Sequence, residues 1–347
     1  MADQGIRRDE PGEQSRLGKT ARIEAYKAWD RHMTAKARGT ATLITTGSKA
    51  EGLTSYLESD KMVLIQILQS LLLETYVYNA LCDDGFVQHE RAGPSTPETI
   101  DGRECDTVHA LHFYCPSILT RWAARHRYWP SADVVREVVS LGAFVSPVGV
   151  KGSDYEHVEW RMCFNTGENV LINNLNDTQV KLYVLLKMVK KDVLQPQKKE
   201  VTSFTVKNIV LWIAENNPHS LFHERSLFHW LHEGLYALRV AIDTKELPYY
   251  MIPGRNLMAA CALDHEQKRS WIATIDEMMT EGPRMILRLP KIRQAINAHP
   301  EPLRWFSGRK IEMEMLELIY RNRHTDVIMQ AINSRCDEDD YGRGSSK

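Results

Sequence analysis

The chain lacks a long apolar run, a cysteine pair and an excess charge of either sign. No stretch approaches the ~18 consecutive apolar residues that a membrane helix needs, and Met1 to Arg8 (MADQGIRR) has no apolar core of the signal-peptide kind. The expectation is a cytoplasmic protein with no membrane partner. The six cysteines, Cys82, Cys105, Cys115, Cys163, Cys261 and Cys336, are scattered without a C-x-x-C pair, which argues against structural zinc and redox work. Most read as small buried hydrophobes. Forty-four basic residues stand against 45 acidic ones, so any nucleic-acid contact needs a local basic face. His229-x-x-His232-Glu233 is not the zinc-protease order H-E-x-x-H. His109 and His112, three apart in a predicted strand, face opposite ways and cannot chelate together.

What is present organises into two predicted lobes between polar ends. The length of 347 residues allows roughly two domains at ~100–200 residues each. Residues 1–15 and 336–347 are too polar to bury apolar surface and read as disordered tails. Over 16–38, Ile23, Tyr26, Trp29 and Met33 recur at helical spacing, with Arg16, Lys19, Arg22, Lys27, Arg31, Lys36 and Arg38 in the same segment. Strands are predicted at 41–46, 58–65, 105–113 and 143–150, while 64–80 stays undecided between strand and helix. After Trp160 the pattern becomes helical, over 177–194, 203–216, 225–243, 265–280 and 309–333. The fold class is therefore α+β, with a mixed sheet over 16–165 and a helical bundle over 166–335.

The most informative stretch is Gly47-Ser48-Lys49-Ala50-Glu51-Gly52-Leu53, followed by Glu58-Ser59-Asp60-Lys61-Met62 and later by Asp106. A glycine lets backbone amides approach a phosphate, and a serine hydroxyl adds a donor. Carboxylates on neighbouring strands supply the oxygen-only ligands that a pair of divalent ions about 3.5–4 Å apart requires. Strand alternation puts Glu58, Asp60 and Met62 on one face, so an acid-x-acid pair has two registers. With Glu58 and Asp60 as the pair, nine residues lie between it and Ser48 and all three acids are present; with Asp60 and position 62, eleven lie between and the second acid is a methionine. A thioether does not replace a carboxylate on magnesium.

These residues, with further blocks in order between about 40 and 260, resemble the cyclic GMP-AMP synthase-like receptors and their relatives in the male-abnormal-twenty-one (Mab) group. The blocks are Asp106-Thr107-Val108-His109, Trp129-Pro130-Ser131, Trp160-Arg161-Met162-Cys163-Phe164, Lys181-Leu182-Tyr183, Thr202-Ser203-Phe204-Thr205-Val206-Lys207, and Leu247-Pro248-Tyr249-Tyr250 through Leu257. The resemblance implies a bilobal nucleotidyltransferase fold. It also implies synthesis of a cyclic dinucleotide from two nucleoside triphosphates, ATP, GTP or others, in innate immune signalling. Glu58, Asp60 and Asp106 would be the catalytic acids holding Mg²⁺ or Mn²⁺; Gly47, Ser48, Arg161, Lys181, Ser203 and Phe204 would bind nucleotide. Solvated helix face for Lys181 and core packing for Phe204 remain the plain alternatives. With Met62 in the second register, the alternative function is a catalytically silent nucleotide-binding or regulatory protein.

The zinc-bearing loop of the vertebrate DNA sensor in this family would fall between Phe164 and Lys181, where this chain has Asn165 to Val180 and no cysteine. The remaining basic candidates are Arg22, Lys27 and Arg31 on the 16–38 helix, with Lys187, Lys190, Lys191, Lys198 and Lys199. Double-stranded RNA is the expected activating partner, read by shape and charge.

Overall fold

The computed structural model describes residues 11–37, 41–51, 61–67, 96–100, 103–149, 153–154, 159–194, 200–298, 305–306, 308–317 and 319–320. The chain is a mixed α+β protein. Helix α1 (Pro11–Lys36) precedes β1 (Ala41–Thr46), a one-turn helix α2 (Gly47–Ala50), β2 (Lys61–Ile67), β3 (Thr96–Ile100) and β4 (Arg103–Phe113). Helices α3 (Pro116–Ala123) and α4 (Ala132–Leu141), strands β5 (Ala143–Ser146) and β6 (Arg161–Cys163) and helix α5 (Asn165–Asn173) come next. Then follow α6 (Asp177–Val189), which runs into a π turn at Lys190–Leu194, α7 (Ser203–Asn216), α8 (Leu227–Thr244), α9 (His265–Glu281) and α10 (Pro290–Asn297).

The described strands form one sheet in the order β1, β2, β4, β5, β6, with β3 also on β4. β1 and β2 are antiparallel, and β2 runs parallel to β4, so the sheet is mixed. Its registers set a row of Cα partners from Thr46 through Met62 to Asp106. Helix α1 covers β1, with Trp29 and Leu43 buried together against Met33 and Ala37. Asp30 fixes this packing by accepting hydrogen bonds from the Thr45 amide at 2.8 Å and hydroxyl at 2.6 Å. The helix begins at Pro11, within the segment expected to be a tail, and predicted strands 105–113 and 143–150 are observed as 103–113 and 143–146.

The large core lies among the helices. In α6, Leu182, Tyr183, Leu186 and Val189 are buried at the spacing of a single apolar face. Gly234 of α8 admits this face: a Cβ there would stand 2.7 Å from Leu186 Cδ1. Local chemistry sets the helix starts. Asn176 and Gln179 form a capping box on α6, Thr202 and Thr205 another on α7, and the Asp264 carboxylate accepts the Gln267 amide at 2.7 Å on α9. Predicted helices 203–216 and 265–280 are observed as 203–216 and 265–281. The short helices α3, α4, α5 and α10 run for only 8 to 10 residues each, and reading the sequence missed them. Among the described residues no helix is long and apolar enough to cross a membrane.

Candidate functional site

The site grows from the end of β1. Thr46 leaves the strand and Gly47 takes φ +69, a left-handed conformation that a side chain disfavours, and so turns the chain into α2. Nothing lies within 4 Å of where a Gly47 Cβ would stand, so the glycine answers to backbone conformation rather than crowding. The Glu51 amide closes the turn on the Gly47 carbonyl at 3.0 Å. α2 buries no apolar side chain; its one buried residue is Lys49. Polar contacts therefore carry much of its placement.

Two of those contacts come from the helical core. Lys187 of α6 donates from Nζ to Ser48 Oγ at 2.6 Å, and the same ammonium lies 5.2 Å from the Tyr183 ring. Glu51, fully buried, pairs through Oε1 with Lys207 Nζ at 2.7 Å, while Tyr183 donates to Glu51 Oε2 at 3.5 Å. Lys207 also lies 3.4 Å from Glu168 of α5, whose other oxygen accepts from Tyr249 at 2.7 Å. Two carboxylates, one ammonium and two phenols thus form a buried network behind the Gly-Ser turn.

Its electrostatics follow from burial and neighbours. Burial opposes the Lys207 charge, but Glu51 first and Glu168 next outweigh it and raise the Lys207 pKa. Lys187 shifts the other way: burial lowers its pKa, Glu51 offsets part of that, and Lys207 adds to the lowering. Tyr183 and Tyr249 are pushed well above the usual phenol value by burial, then by Glu51 and Glu168 respectively. The Lys187 ammonium meets a neutral hydroxyl in a half-buried place, an arrangement suited to an incoming anion.

Arg161 on β6 is half-buried, its pKa lowered by desolvation and then by Arg255. Arg255 donates to the Met162 carbonyl at 3.1 Å and stands 5.4 Å over the Tyr249 ring, so two guanidiniums gather at one edge of the network. Burial drives the Cys163 thiol up to about 12, which makes it inert at neutral pH.

The sequence-derived residues are partly brought together. Ser203 opens α7 and accepts from Lys190 Nζ at 3.3 Å; Phe204 packs against the core with its ring 5.5 Å from Tyr249. Lys181 stands apart, in an exposed pair with Glu224 at 3.1 Å. Six residues separate it from Lys187, which turns it about 120° away around the helix. Asp106 is half-buried on β4 beside position 62 in the register. Glu58 and Asp60 lie outside the described residues. A magnesium or manganese site needs hard oxygen donors. Asp106 fits that need, and a methionine at position 62 does not.

On the expected nucleic-acid face, Lys27 pairs with Glu24 at 3.0 Å in solvent and Arg31 is exposed. The Arg22 side chain is only 13% exposed and approaches Glu314 at 3.9 Å, so it faces the protein. Lys187 and Lys190 are likewise turned inward, onto Ser48 and Ser203. The histidines behave as structural groups: His112 contacts the Leu141 carbonyl at 3.3 Å, and His232 pairs with its neighbour Glu233 at 3.5 Å. Among the described residues no three His, Cys, Asp or Glu side chains are grouped to hold a metal.

Reading the sequence missed Glu51, Glu168, Lys207 and Tyr249 as parts of the site. One signal was there: Lys207 is the one charged residue in the largely apolar segment from Phe204 to Trp212, where a charge needs a buried partner. No curated protein gives a significant match to this chain. Residues 178–276, from the first turn of α6 to Asp276 in α9, match the family model described as the Mab-21 protein HhH/H2TH-like domain. That segment carries Lys187, Ser203, Lys207 and Tyr249, and the likeness of this chain to Mab-21 proteins rests on it.

Proposed function

We propose that the chain is a bilobal nucleotidyltransferase of the cyclic GMP-AMP synthase-like type, which joins two nucleoside triphosphates into a cyclic dinucleotide in response to a nucleic acid. The observation that carries the reading is the Lys187 ammonium 2.6 Å from the Ser48 hydroxyl at a Gly-Ser turn. A terminal phosphate reaching this turn meets a positive charge already placed and a hydroxyl donor beside it. Lys187 would then meet the triphosphate, on the same helix as Lys181, to which the resemblance gives a nucleotide contact. Arg161, Ser203 and Phe204 would face the nucleoside, the arginine through its planar donors and the phenyl ring through stacking.

Glu58, Asp60 and Asp106 would hold Mg²⁺ or Mn²⁺, which on binding neutralises phosphate charge and favours attack by a ribose hydroxyl. Asp106 would orient that hydroxyl and accept its proton. The register that sets Met62 beside Asp106 supports a second reading, a nucleotide-binding protein without turnover. Titration with ATP and GTP in magnesium, and a product assay with labelled triphosphates with and without duplex RNA, test both. Saturable binding with a cyclic product supports the enzyme. Binding without product supports the silent protein, and no binding to either nucleotide sinks both.

A further inference from the structure

The network behind the Gly-Ser turn is built as a tether. α2 is a single turn without a buried apolar side chain, so it lacks the usual means of holding a helix in place. Its C-cap residue Glu51, just past Ala50, nevertheless reaches zero exposure, drawn in by Lys207 at 2.7 Å. Lys207 belongs to α7, whose Val206, Ile209, Val210 and Leu211 are buried in the main core. The ammonium is shared with Glu168 of α5, and Glu168 is itself fixed by the Tyr249 hydroxyl at 2.7 Å. Glu51 and Glu168 carry two negative charges against one on Lys207. Lys187, on Ser48, and the Arg255 guanidinium over the Tyr249 ring add positive charge around the set.

We propose that Lys207 is a positioning residue: by clamping Glu51 it fixes the one-turn helix after β1 and so sets Ser48 against Lys187. This rests on the triphosphate reading of the Ser48 turn for its functional consequence, while the clamp itself is a property of the fold. Lys207 touches neither Ser48 nor the phosphate site in this arrangement; it acts through Glu51. The anchor is stiff because α7 is part of the core, and the clamped element is light because it is a single turn with no fully buried apolar side chain. A buried charge set can be exchanged for neutral groups of the same shape without loss of fold. The clamp can therefore be removed separately from the core.

The test uses the full chain carrying Glu51→Gln, Glu168→Gln and Lys207→Met together, with Lys207→Arg as the charge-keeping control. Amide hydrogen exchange is read at Gly47 to Glu51 and, for reference, at Leu231 to Leu238 of α8. The triple variant should speed exchange at the turn by about ten-fold or more while α8 keeps its protection, and Lys207→Arg should retain most of the turn's protection. Unchanged protection at the turn, an equal loss in α8, or an equal loss in Lys207→Arg would each overturn the proposal. If the triple variant does not fold, Glu51→Gln alone carries the test by the same readout. Parallel titration with magnesium ATP separates the two ideas. A loosened turn in a protein whose parent binds no ATP sinks the triphosphate reading and leaves the clamp standing. A loosened variant that binds ATP as tightly as a binding parent removes the clamp from the site's function.

Discussion

The ammonium of Lys187 lies 2.6 Å from the hydroxyl of Ser48, joining α6 of the helical core to the turn that ends β1. Burial lowers the Lys187 pKa, so the folded protein holds this charge at a cost. Lys187→Met should therefore leave thermal stability unchanged or raised. If the anion site is as proposed, the same variant should weaken magnesium ATP binding by about ten- to hundred-fold, the worth of one charge-assisted hydrogen bond. Calorimetric titration and a melting curve on one preparation check both halves. Loss of stability with unchanged binding would make Lys187 a structural lysine.

Met62 and Asp106 are direct register partners on β2 and β4. Asp106→Asn should abolish metal-dependent triphosphate binding and any product, because an amide offers a neutral oxygen where an anionic one is needed. Met62→Asp should tighten manganese-dependent binding if position 62 is the missing second acid. Glu58→Gln discriminates the registers: lost activity assigns the pair to Glu58 and Asp60. Unaltered metal titration in all three variants would move the ions elsewhere.

Alkaline pH should unfold this protein through its buried phenols. The folded pKa values of Tyr183 and Tyr249 lie above the ordinary 10.0, and that of Lys207 above 10.5. A raised folded pKa contributes stability in full below the unfolded value, and that stability is lost as pH climbs toward the folded one. Denaturant unfolding should thus show stability falling above about pH 10. Tyr249→Phe should flatten that slope while costing stability at neutral pH, since the Glu168 oxygen that accepts from Tyr249 at 2.7 Å loses that donor. A slope unaltered by the substitution would mean that other groups govern the alkaline limb.

The basic residues of α1 should separate by function. Arg22→Glu places a carboxylate beside Glu314 and should destabilise by on the order of 1–3 kcal/mol. Lys27→Glu with Arg31→Glu, both exposed, should leave the melting temperature in place and lower affinity for duplex RNA, with a flatter dependence on salt. Filter binding across a salt series measures this. Parental affinity in the double variant would take α1 out of the RNA surface.

The sequence alone determined the elements whose signals are local. The strand pattern marked β1 over 41–46, and helical periodicity marked α7 over 203–216. Gly47 and Ser48 could be singled out because a glycine that lets amides approach a phosphate, followed by a hydroxyl donor, is meaningful within a few residues. Tertiary structure decided which charges face each other. Lys181 and Lys187 share a helix and a residue type, yet one pairs with Glu224 in solvent and the other meets Ser48, 139 residues away in the chain. Arg22 and Lys27 divide in the same way, one toward Glu314 and the other into water. The reason is physical. Periodicity specifies which face of an element is apolar, but a buried charge is permitted only where a distant partner compensates it, and packing among α2, α5 and α7 brought Glu51, Glu168 and Lys207 together.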